Sequence, residues 1–63
     1  MPMIRVELLE GRTVEQKREF AAVVTREAAR ILNCSPDVVD IGFVPVSRDD
    51  WAIGGKLASD PSP

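Results

Sequence analysis

The stretch VDIGFVPV, residues 39–46 of a chain of 63, decides the fold. Alternate positions of an extended segment point to opposite faces, here Ile41 with Phe43, and Gly42 with Val44 and Val46. Both faces are largely free of charge. A strand apolar on both faces is covered on both faces. The chain must therefore supply one cover and obtain a second from elsewhere.

The first cover lies upstream. Phe20, Val24, Ala28 and Ile31 recur at spacings of four, four and three, and Ala21 and Val23 widen the stripe. This period predicts an amphipathic helix from about Val14 to about Leu32. Thr13, with Gln16 three residues on, makes a capping box at its start. Glu15 in the first turn and Arg26 and Arg30 near the end complement the helix macrodipole. Asn33, followed by Ser35-Pro36-Asp37, stops it. Ahead of the helix, Met3 to Leu9 alternates as a strand, with Ile4, Val6 and Leu8 on one face. Met3, Arg5, Glu7 and Leu9 form the other face, and Glu10-Gly11-Arg12 breaks the pattern. Strand, helix and strand in this order fit a right-handed βαβ crossover with parallel strands.

Downstream, a polar turn leads to Trp51, and Gly54-Gly55 reads as a tight turn between the short arms Ala52-Ile53 and Lys56-Leu57. The last residues, from about 59 to 63, are expected to be a disordered tail unless a neighbour captures them. The expected fold is α/β (α+β): one domain over 1–63, with two parallel strands, one long helix and a short C-terminal hairpin, assembled as an oligomer. Size supports the oligomer, because a chain this short buries only about 60% of its unfolded surface and needs disulfides, a metal or other subunits. Cys34 is the only cysteine, so no disulfide forms within the chain. A lone cysteine without any histidine makes no zinc site.

The 8 basic and 10 acidic side chains give a net charge of −2, which is not the basic surface that nucleic acid requires. No segment approaches the ~20 apolar residues that span a bilayer, and the first residues lack a signal-peptide pattern. A cytoplasmic protein that binds neither nucleic acid nor membrane is expected.

The familiar catalytic sets are missing. Without histidine there is no Ser-His-Asp or Cys-His arrangement, and Gly54-Gly55 lacks the phosphate-loop pattern. Asp49-Asp50 reads as solvated turn charge. Cys34 sits at a helix end whose dipole disfavours a thiolate. Pro2 remains. A proline at a strand's start is tolerated on structural grounds alone. If Met1 is removed, however, Pro2 becomes a free secondary amine, a base close to working pH when desolvated or near cations. Arg12 is a natural partner, because its guanidinium fork binds a carboxylate in two places.

PMIRVELLEGRTVEQK, one long helix and then WAIGG resemble the 4-oxalocrotonate tautomerase family, from Pro2 to about Ser59. The resemblance implies βαβ subunits of this length, assembled as a hexamer that is a trimer of dimers. It also implies cofactor-independent transfer of a proton along a conjugated enol or enone acid. Carried over residue by residue, Pro2 is the general base, Arg12 binds a carboxylate of the small-molecule acid substrate, and Trp51 keeps the pocket dry. The family's well-studied members carry a second substrate arginine at the start of the second strand, where this chain has Asp40. That departure argues for a monoacid or a differently placed anion. It also opens a rival reading, a non-catalytic subunit of a mixed hexamer. A ribbon–helix–helix DNA-binding dimer is disfavoured, because residues 41–46 read as a strand and not as a second helix.

Overall fold

The computed structural model describes residues 1–61. Strand β1 (Met3–Leu9) leads into helix α1 (Val14–Leu32), which returns the chain to strand β2 (Asp40–Val46). The two strands are parallel, with Met3 opposite Asp40, Val6 opposite Phe43 and Leu9 opposite Val46. A short 3₁₀ turn, Pro36–Val38, precedes β2, which starts at Asp40, one residue later than its apolar run. A second 3₁₀ turn, Arg48–Asp50, leads to the antiparallel hairpin β3 (Ala52–Ile53) and β4 (Lys56–Leu57).

The helix has the expected ends. The Thr13 hydroxyl accepts from the Gln16 amide at 3.1 Å, and the Gln16 side chain accepts from the Thr13 amide at 2.9 Å. Asn33 takes the left-handed conformation at φ 56° and ψ 53°, which Asn tolerates better than most residues. In the hairpin, Gly54 and Gly55 both have positive φ, 62° and 81°, as a two-residue turn of this hand requires. Neither glycine has a neighbour that a Cβ would strike, so backbone conformation alone calls for glycine there.

Pro45 stands inside β2, and the hydrogen-bond phase explains why it is tolerated. The Asp40 amide donates to the Pro2 carbonyl at 2.9 Å, and the Val46 carbonyl accepts from the Glu10 amide at 2.9 Å. Even-numbered residues of β2 therefore bond β1, while odd-numbered ones, Pro45 included, face the open edge. A proline costs no ladder bond there and blunts that edge.

None of the described residues is buried. The chain exposes 5019 Å², against about 4,000 Å² for a folded monomer of this mass. Its radius of gyration is 15.1 Å, where a compact domain of this length has roughly 11 Å. Helix α1 lies on one side of the sheet, with Ala21, Val24 and Ala28 half-buried, but the apolar stripe is wider than the sheet beneath it. Phe20, Val23 and Ile31 stay exposed on its flank. On the other side of the sheet, the Met3 methyl lies 2.8 Å from where a Gly42 Cβ would stand, and Val44 remains exposed beside it. On the sheet face without a helix, Met3, Leu9, Gly42, Val44 and Val46 thus leave apolar surface uncovered beside Arg5, Glu7 and Asp40, as the reading of residues 39–46 requires.

Ser59 and Asp60, placed by sequence in a disordered tail, donate their amides to the carbonyls of Arg48 (3.2 Å) and Leu57 (3.0 Å). Residues 62 and 63 of that tail lie outside the described residues.

Candidate active site

Arg12 stands where β1 has ended and the Thr13 cap begins. It borders a cavity of about 390 Å³ between the helix and the sheet, with Val6, Leu8, Gln16, Lys17, Phe20 and Phe43. The rings of Phe20 and Phe43 meet edge to face, with centroids 5.9 Å apart. The cavity has apolar walls and a cationic mouth, formed by Arg12 and Lys17. Neither cation joins an ion pair among the described residues, where the pairs are Arg18 with Glu15 and Arg30 with Glu27. Such a mouth accepts an anion, and the walls accept the carbon skeleton behind it.

Lys17, Phe20 and Phe43 were not nominated by sequence as site residues. Lys17 was legible in principle, because its amide donates to the Thr13 carbonyl at 3.1 Å and so begins the first full turn above Arg12. Phe20 reads as core from its spacing, and only the crossover brings it against Phe43.

Pro2 is not at this cavity. It lies at the opposite end of β1, beside Asp40 at the start of β2. Met1 is 80% exposed, and its amine donates to the Val38 carbonyl at 2.7 Å. Strand β1 alone separates Pro2 from Arg12 by about 20 Å, at roughly 3.3 Å per residue. One small acid does not bridge that distance. Trp51, half-buried, follows the second 3₁₀ turn, and its carbonyl accepts from the Ala58 amide at 2.7 Å. It is past the C-terminal ends of the strands, as Arg12 is, but does not line the Arg12 cavity. A single chain therefore separates the residues expected to act together.

Other charged residues near these positions have structural partners or none. The Arg48 guanidinium donates to the Ala58 carbonyl and ties the hairpin's return to the 3₁₀ turn. The Ser47 hydroxyl donates to Asp50 at 2.9 Å. Asp40 is exposed and makes no ion pair among the described residues. Cys34 is a free, half-exposed thiol. Among the described residues no three His, Cys, Asp or Glu side chains gather as metal ligands, and no helix is long and apolar enough to cross a membrane.

A family model described as "Tautomerase enzyme" matches residues 2–60. A 2-hydroxymuconate tautomerase of Bacillus subtilis is 35% identical over 60 residues, covering 95% of this chain and 97% of that protein. A probable tautomerase of Halalkalibacterium halodurans is 33% identical, covering 95% and 98%. Among solved structures, a 4-oxalocrotonate tautomerase homologue superposes with a TM-score of 0.92 at 41% identity over the whole of both chains. A heterohexamer 4-oxalocrotonate tautomerase from Chloroflexus aurantiacus superposes with a TM-score of 0.90 at 30% identity, covering 95% and 97%.

Proposed function

The chain belongs to the tautomerase enzyme family, and from that premise we propose that it moves a proton within small unsaturated 2-hydroxy and 2-oxo acids, with Pro2 as the base. The observation that carries this reading is the extent of the match, which starts on Pro2 and runs across Arg12 and Trp51 to residue 60. While Met1 is present, the Pro2 nitrogen is an amide and has no basicity. Removal of the exposed Met1 turns it into a secondary amine, which takes a proton from the hydroxyl or carbon of the substrate and returns it to another carbon. Arg12 binds the substrate carboxylate with charge-assisted hydrogen bonds and draws electron density toward it. Trp51 keeps water from the amine, which strengthens each of these electrostatic contacts.

Because β1 holds Pro2 and Arg12 about 20 Å apart, a complete site takes Pro2 from one copy and Arg12 and Trp51 from another. The uncovered sheet face, the exposed Phe20 and Val23, and the excess surface supply the area for that assembly. We assign it as a hexamer of this chain, a trimer of dimers. A second reading is favoured by Asp40 and by the similarity to the Chloroflexus heterohexamer: this chain is one subunit of a mixed hexamer and lacks activity alone.

The test is ketonisation of 2-hydroxymuconate and of a monocarboxylate 2-hydroxydienoate, followed by ultraviolet absorbance with chain purified alone and checked by intact mass for loss of Met1. Activity from a particle of hexamer size supports the first reading. An inactive hexamer-sized particle favours the second. Full activity in a variant with an added residue ahead of Pro2 would falsify the proton-transfer role of Pro2.

A further inference from the structure

We propose that Asp40 sets the charge of the substrate, so that the Pro2 end of the site takes an acid with a single carboxylate whose far end is neutral or a hydrogen-bond donor. This rests on the reading of Pro2 as the base. Three observations carry it. Asp40 is fixed to Pro2 through the backbone, its amide donating to the Pro2 carbonyl at 2.9 Å, so the two residues share one edge of the sheet. Its side chain is exposed, and it is in neither ion pair found among the described residues. Among the described residues, the other ionisable side chains at this end are Asp37 in the preceding 3₁₀ turn, Arg5, which shares the helix-free face of the sheet with Asp40, and Glu27 and Arg30, which pair with each other near the end of α1. The C-terminal end of α1, with its partial negative charge, also returns to this end.

The balance of charge around Pro2 is therefore negative, whereas Arg12 and Lys17 make the other half of the site positive. A substrate laid between the two halves has its carboxylate at Arg12 and its other end toward Asp40. An ionised carboxylate only accepts hydrogen bonds, so it favours a hydroxyl or an amino group there and repels a second carboxylate. A like charge at about 6 Å weakens binding roughly ten- to a hundredfold at the effective dielectric of a protein surface.

The probes are hexanoate and adipate, which have the same carbon chain and differ by one carboxylate. Calorimetry on the assembled, Met1-free protein is expected to show hexanoate binding about ten- to a hundredfold more tightly than adipate. Asp40→Asn, which keeps the size and removes the charge, should bring the two affinities together by improving adipate. Asp40→Glu should keep the gap, which separates the charge from any structural role of position 40. Equal affinities in the unmodified protein, or a gap that survives Asp40→Asn, would overturn the proposal. Failure of the Pro2 reading is seen separately: it leaves this gap unchanged and shows as undiminished activity in the chain blocked ahead of Pro2.

Discussion

The two ends of the β1–β2 sheet differ in chemistry although one chain carries both. At the start of the strands stand Pro2, Asp37 and Asp40, with the C-terminal end of α1 nearby. Beyond their other end stand Arg12 and Lys17, with the amino end of the same helix, and then Trp51 and Arg48. The helix runs against the strands, so its dipole adds negative character to the first end and positive character to the second. One end thus offers Pro2 and carboxylate acceptors, the other cations and an aromatic ring. The rigid strand between them keeps the two apart, and only a second copy brings opposite ends together.

The largest effect is expected at the acidic end. Pro2→Ala, again in Met1-free protein, leaves a primary amine in place of the pyrrolidine. It should lower kcat by about a hundredfold or more, the range for a general acid–base group, without changing the particle's size in gel filtration. Loss of the assembly together with the activity would mean that Pro2 acts on folding and not on chemistry.

At the cationic end the expected effect is smaller. Arg12→Ala removes a charge-assisted hydrogen bond to the substrate, about 1.5–3 kcal/mol, so kcat/KM should fall about ten- to a hundredfold. Much of the fall should appear in KM. Arg12→Lys should recover part of it through charge without the fork. An unchanged KM in Arg12→Ala would detach the cavity from substrate binding.

The smallest effect concerns the helix start that positions Arg12. Thr13→Ala removes the hydroxyl that accepts the Gln16 amide and should cost about 1 kcal/mol of stability, measured as a lower denaturation midpoint of the assembly. The acidic end should not respond, so kcat at saturating substrate should be nearly preserved. A large fall in kcat would show that the two ends are not independent.

Much of this fold was legible because its signals are local. The Thr13–Gln16 capping box fixed one helix end, Asn33 the other, and Gly54-Gly55 the hairpin turn. The need for a second cover followed from residues 39–46, whose largely uncharged faces exceed what one helix hides. Legibility was lower at the site. Pro2, Arg12 and Trp51 stand out by type and pattern, but neither type nor pattern says that one chain keeps Pro2 and Arg12 at opposite ends of a strand. Phe20 reads as core and instead lines the Arg12 cavity from an exposed flank. Nothing local in the sequence shows that the Arg48 guanidinium holds the Ala58 carbonyl. These assignments depend on contacts between residues distant in sequence, which local periodicity does not encode.

The most direct test of a site shared between copies is subunit complementation. Pro2→Ala chains and Arg12→Ala chains, each poorly active alone, are unfolded together, mixed in equal amounts and reassembled. If Pro2 and Arg12 of one site come from different copies, random mixing makes about a quarter of the sites complete in a symmetric oligomer. Activity should then rise to about that fraction of the unmodified protein. If one chain supplied both residues, no mixed site would be complete. Activity fixed at the average of the two variants would contradict the account.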